Sequence, residues 1–147
     1  ADNATIKEAR EAGVTIGVHK CRGDNRSAWG AQGNYESIAE KAFGSLNVDR
    51  FLLEYDTDRA SGFEPLRFVP AGKTVVLGLI SSKDPTFESQ DALMRRIDGA
   101  SKYLPLENLA ISPQCGFAST APGNMLTWDE QRRKLELVVD TAWKVWG

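Results

Sequence analysis

Residues 50–55, Arg50-Phe51-Leu52-Leu53-Glu54-Tyr55, form an apolar run with one carboxylate near its end. The run reads as a buried strand of a parallel sheet. Three more segments rich in β-branched and aliphatic residues share that character: Val14 to Val18, Thr74 to Ile80, and Leu109 to Ser112. Helical patterns surround them, Asn3 to Ala12 ahead of the first strand, Tyr35 to Leu46 after it, Gln90 to Tyr103 after the third and Trp128 to Trp146 after the fourth. Strand starts fall 24 to 36 residues apart, the length of one βα unit and too short for an intervening domain.

Punctuation supports the helices. Thr127 precedes Glu130 at capping-box spacing, and Gly13 follows the first helix where a left-handed residue would stop it. In the last helix Leu135, Val138, Val139, Ala142, Trp143 and Trp146 follow a 3.6-residue period, which assigns Arg132, Arg133, Lys134 and Glu136 to the solvent side.

The pattern predicts one α/β domain over residues 1–147, a parallel sheet with helices outside. A complete (β/α)8 barrel needs about 250 residues and eight strands, and this chain supplies four. A small open doubly wound sheet is the alternative. Four parallel strands alone leave two apolar edges, which predicts pairing with another half or a second copy.

With 147 residues, 41% hydrophobic and 26% charged, the chain can bury one core. Its formal charge of -2, from 18 basic and 20 acidic residues, and the absence of a dense Lys/Arg block argue against a nucleic-acid partner. No apolar run approaches the roughly 20 residues that span a bilayer, and residues 1–13 lack a signal-peptide core, so neither membrane insertion nor export is expected and the location expected is cytoplasmic. Cys21 and Cys115 lie almost a chain length apart, and in such a protein thiols kept for packing or metal are expected over a disulfide.

The chemistry concentrates at strand ends. The first strand delivers His19, Lys20 and Cys21; His and Cys two apart in a strand share a side and could face one ion. Glu54 would cost several kcal/mol to bury ionised without a compensating cation or donors. The fourth strand runs into Pro113-Gln114-Cys115-Gly116. Functional groups of parallel α/β folds gather at the carboxyl ends of strands, so His19, Cys21, Glu54 and Cys115 are expected to converge. One imidazole, two thiolates and one carboxylate suit tetrahedral Zn2+ better than magnesium, calcium or iron. Each residue alone also has an ordinary structural reading: a bonded histidine, buried thiols, a glutamate that caps or pairs with an arginine.

Around these positions the strings GVHKCRGDNRSAW, RFLLEYDTDRASGFEPLRFVP, VVLGLISSKDP and LAISPQCGFASTAPGNMLT resemble the cobalamin-independent methionine synthase family, in particular its shorter single-barrel members, from about Val14 onward. The His-x-Cys pair and the later Pro-x-Cys-Gly are the specific parts. The resemblance implies a (β/α)8 barrel of the class shared by uroporphyrinogen decarboxylase and methionine synthase, with this chain as its C-terminal half of about four βα units. It implies that His19, Cys21 and Cys115 are zinc ligands and that Glu54 is a catalytic fourth ligand that gives way to a substrate thiol. Two thiolates and a neutral imidazole cancel the ion's charge, so a substrate thiolate taking the place of Glu54 leaves the complex at -1 and its sulfur electron-rich. The implied reaction is methyl transfer from a methylated folate to homocysteine, in a barrel completed by a missing N-terminal half.

Long-type methionine synthases resemble a pattern with a histidine at the end of the seventh strand, where this chain has Leu79-Ile80-Ser81-Ser82. Alkylation of another thiol, as in epoxyalkane:coenzyme M transferases, is therefore a second expectation, and a non-catalytic zinc-binding or self-associating half-barrel is a third. Arg22 and Asn25 are candidates for binding an anionic substrate group, Asp56 and Gln114 for supporting the ligands, with turn and cap roles as their ordinary readings. Trp29 and Tyr35 either cover the site or pack in the loop and helix that follow, and Asp58, Glu64 and Arg67 are expected to be solvent charges.

Overall fold

The computed structural model describes residues 2–25, 28–29, 35–57, 62–118 and 121–147. Two short helices, α1 (Asp2–Thr5) and α2 (Lys7–Glu11), precede β1 (Gly17–Lys20) and a small hairpin of β2 (Asp24–Asn25) and β3 (Ala28–Trp29). Then come α3 (Ala39–Ser45), β4 (Arg50–Glu54), β5 (Thr74–Ile80), α4 (Gln90–Ser101), β6 (Leu109–Pro113) and α5 (Trp128–Trp146). The strands β1, β4, β5 and β6 form one parallel sheet in that order.

Register sorts the side chains into two faces. Val18, Phe51 and Val75 lie in one row, Lys20, Leu53, Leu77 and Ile111 in another, on the face the helices cover. There Phe51, Leu53, Val75, Leu77 and Ile111 join Phe43, Leu93 and Ile97 in the core. Each fully buried side chain of this size contributes about 1.5–3 kcal/mol. The opposite face carries the row His19, Leu52, Val76, Ala110 and, one step nearer the carboxyl end, Glu54, Gly78 and Ser112.

Several expected elements shift. The first strand begins at Gly17 rather than Val14, because Ile16 is spent on Asp49: the Asp49 carboxylate accepts from Ile16 N at 2.7 Å, and Ile16 O accepts from Asp49 N and Arg50 N. Gly13, at φ 75, does end the preceding helix, as its position suggested. That helix is two short pieces rather than Asn3 to Ala12, and the Asn3 side chain is tied to α3 through Ser45 O and Asn47 N. The stretch from Tyr35 is helical only from Ala39, since Tyr35 is used to bracket strands instead.

The last helix spans the expected residues and carries the full capping box of Thr127 and Glu130. Its faces differ from the expected ones. Lys134 is buried, not on the solvent side: its Nζ donates to Thr86 O at 2.8 Å and lies 3.1 Å from Glu88 Oε2. Glu88 in turn accepts from Ser81 N at 2.7 Å. Leu135, Val139 and Trp143, three members of the apolar period, are exposed. The helix is apolar around more of its circumference than β6 and α4 cover.

Candidate metal centre

Three of the sequence-predicted groups meet. One ligand atom each from His19, Cys21 and Cys115 lies within 4.8 Å of the others, and Cys115 Sγ is 3.4 Å from His19 Nε2. His19 is the third residue of β1, Cys21 follows that strand's end, and Cys115 follows the end of β6, so both outer strands of the sheet contribute. Both cysteines are free thiols. Four-coordinate thiolate and imidazole ligation, with metal–sulfur near 2.3 Å and metal–nitrogen near 2.0–2.1 Å, puts neighbouring donors roughly 3.5–3.8 Å apart. The three groups therefore fit a borderline-soft divalent ion with little movement.

Cys115 is seated by its neighbours. Gly78 allows the end of β6 to press against β5: a Cβ there would lie 2.8 Å from Gln114 Cα and 2.9 Å from Leu53 O. The ladder slips between Gly78 and Ile80, and Gln114 N then donates to Ile80 O at 2.8 Å. Gln114 is buried, takes a bond from Ser82 Oγ on its Oε1 at 2.8 Å, and directs Nε2 to Cys115 Sγ at 3.2 Å. Asn124 Nδ2 binds Ser82 O at 2.7 Å and also Phe117 O, clamping the loops after β5 and β6 together.

Burial pushes the Cys115 thiol up to about 12; Lys83 opposes the rise, and Cys21 and Glu54 add to it. A thiol in that state stays protonated at neutral pH until a cation takes the proton's place. Beside it, a cavity of about 240 Å³ is lined by His19, Leu52, Ser112, Pro113 and Cys115 among others.

Glu54 lies outside the three-residue group. Its fully buried carboxylate accepts from Arg22 N at 3.0 Å, and Arg22 Nη1 lies 3.6 Å from Oε1. Arg22 is thus turned toward Glu54 rather than presented to an incoming anion. Asp56 is half-buried in the turn after β4. Asn25 is on β2 by its backbone, while its side chain, the Trp29 side chain and Asp58 fall outside the described residues. Tyr35 is buried beneath Arg22, whose guanidinium lies 4.5 Å from the ring centre. Arg67 pairs with Glu36 at the surface. Ser82, Gly78 and Asn124 were not singled out by sequence; Ser82 stands at a strand end as the ligands do, but Asn124 carries no local signal.

A family model described as the catalytic domain of cobalamin-independent synthase matches residues 5–144. The uncharacterized protein YxjH of Bacillus subtilis is 47% identical over 146 residues, covering 97% of this chain and 39% of YxjH. The methionine synthase of Pyrococcus abyssi is 28% identical over 104 residues, 71% of this chain and 27% of that protein. Among solved structures, a putative vitamin-B12 independent methionine synthase from Listeria monocytogenes superposes with a TM-score of 0.71 at 35% identity, covering 99% of this chain and 39% of that one. The chain thus spans about 39% of the length of such relatives, and its four βα strands are the corresponding part of their barrel. On the family match over nearly its whole length and on that shared architecture, the chain belongs to the cobalamin-independent methionine synthase family.

Proposed function

We propose that residues 1–147 form a single half-barrel domain that carries the zinc site of a thiol methyltransferase, acting on homocysteine and a methylated folate in a barrel completed by four further βα units. The observation that supports this most is the convergence of His19, Cys21 and Cys115 at the carboxyl ends of β1 and β6. When bound, zinc would lower the pKa of the substrate thiol, so that the thiolate, the form that attacks an alkyl carbon, is available at neutral pH. The chain's own residues hold the donors in place: Gln114 and Ser82 orient Cys115, and the strand geometry of β1 sets His19 beside Cys21. Glu54 is the proposed fourth ligand and the one that yields to substrate. Asp56 and Asn25 are proposed to support the ligands and an anionic substrate group.

The end of β5 favours one second reading. It continues as Ser81-Ser82-Lys83, with no imidazole to serve as proton donor to a folate leaving group. Alkylation of a different thiol by a different donor would need no such donor.

Metal analysis tests the core of the proposal. The purified chain is expected to hold about one zinc per chain, and Cys115→Ala to lose most of it. Absence of zinc, with melting unchanged by zinc or by chelator, overturns the reading.

A further inference from the structure

Resting on the zinc reading, the geometry points to Gln114 as a positioning residue that keeps Cys115 from being alkylated in place of the substrate thiol. An ion held by two protein thiolates and a substrate thiolate carries three sulfurs, and each retains lone pairs able to attack an alkyl carbon. Attack by a protein sulfur would turn that ligand into a neutral thioether and spoil the site. The protein therefore needs a means of choosing among the sulfurs.

The two protein sulfurs are placed differently. Cys115 lines the cavity of about 240 Å³ with His19, Leu52 and Ser112, whereas Cys21 is exposed and, among the described residues, is not part of that lining. An alkyl donor in the cavity thus meets Cys115, and this is the sulfur on which an amide N–H is fixed: Gln114 Nε2 lies 3.2 Å from Cys115 Sγ. The amide is locked at its other end, where Oε1 accepts from Ser82 Oγ at 2.8 Å, and its backbone is locked by Gln114 N donating to Ile80 O at 2.8 Å. Gln114 and Ser82 are each 1% exposed, so solvent does not compete for these bonds.

A hydrogen bond to sulfur is strongest while the sulfur is anionic. In alkylation a sulfur lone pair forms the S–C bond, the bond from that carbon to the leaving group breaks, and its electron pair departs with the leaving group. The sulfur loses its negative charge on the way, so a donor held on the thiolate stabilises the ground state more than the transition state and slows the attack. With Cys115 restrained in this way, transfer falls to the incoming thiolate. A purely orienting role for Gln114 predicts something else: metal affinity lower by about 10–100-fold without it, and unchanged reactivity of Cys115 once zinc is saturating.

The test is methylation of the zinc-saturated chain by iodomethane, followed at each cysteine by peptide mass mapping, with Co2+ substitution read from its thiolate charge-transfer bands. Gln114→Met is expected to be methylated at Cys115 about tenfold faster than wild type, with Cys21 keeping its wild-type rate. Its charge-transfer band is expected at lower energy with its intensity kept, the mark of a bound sulfur that has lost a hydrogen bond. Ser82→Ala, which frees the far end of the amide, is expected to fall between the two proteins. An unchanged Cys115 rate in Gln114→Met, or an equal rise at both cysteines, overturns the inference. So does a loss of thiolate band intensity, which would mean that Cys115 has left the ion. Should Gln114→Met not fold, Ser82→Ala decides, and a wild-type Cys115 rate in it overturns the inference. Failure of the wild-type chain to bind either metal overturns the zinc reading itself, and this inference with it.

Discussion

The Tyr35 hydroxyl stands between the strands that carry His19 and Glu54. It donates to Lys20 O at 3.0 Å and accepts from Glu54 N at 3.0 Å, joining the carboxyl ends of β1 and β4 through a group that belongs to neither. Tyr35→Phe leaves the buried Glu54 amide without that acceptor, which costs about 1–3 kcal/mol. Burial also pushes the Tyr35 phenol from 10.0 up to about 12, with Arg22 opposing. Because the folded value is the raised one, this contribution to stability is complete below pH 10 and is lost as pH rises from 10 to about 12. Denaturant melts across pH 8–12 check both parts. The wild type is expected to lose stability over the upper range with a slope of at most about 1.4 kcal/mol per pH unit from this group, and Tyr35→Phe to start lower and fall less steeply. Equal slopes for the two proteins would show that the phenol does not titrate with unfolding.

Helix α5 reaches the site through charge rather than apolar contact. Lys134 binds Glu88, Glu88 accepts from Ser81 N, and Ser82, the next residue, holds Gln114 against Cys115. Lys134→Met is expected to destabilise the chain by about 3 kcal/mol, the lower end for breaking a buried pair because Glu88 keeps some contact with solvent. Lys134→Met/Glu88→Gln is expected to recover part of that loss in the same urea melts. No recovery would mean that the lysine stem, not the pair, carries the cost. This pair also marks the limit of what local sequence pattern specifies. The strands at Arg50, Thr74 and Leu109, the cap at Thr127 and the approach of His19 to both cysteines follow from local pattern and from the rule that parallel strands carry function at their carboxyl ends. Sequence pattern assigns Lys134 to solvent because a helical period alone cannot tell which of two apolar arcs meets the sheet, and a buried lysine is betrayed only by a distant Glu88. Glu54 was legible as a carboxylate needing a cation, but its contact with Arg22 depends on a strand-to-loop approach that spacing does not specify.

At the scale of the molecule, two surfaces lack a counterpart among the described residues. In the sheet, β1 and β6 each pair along one edge only, and the His19, Cys21 and Cys115 cluster stands at the carboxyl ends of those two strands. Outside, Leu135, Val139 and Trp143 form an i, i+4, i+8 stripe along α5, with exposures of 42%, 53% and 71%. Unpaired strand edges template further pairing, and contiguous exposed apolar stripes mark contact surfaces. The Listeria monocytogenes relative is more than twice as long as this chain, and a closed (β/α)8 barrel leaves no strand edge unpaired. The isolated chain is therefore expected to self-associate, or to bind a polypeptide supplying further βα units in preference to itself. Sedimentation over a hundredfold concentration range checks this, together with Val139→Glu and Trp143→Glu. These exposed substitutions should change stability by no more than about 0.5 kcal/mol while shifting the population toward monomer. A monomer at every concentration, indifferent to both substitutions, would mean that four strands with open edges are self-sufficient, and the need for a completing half would fall with it.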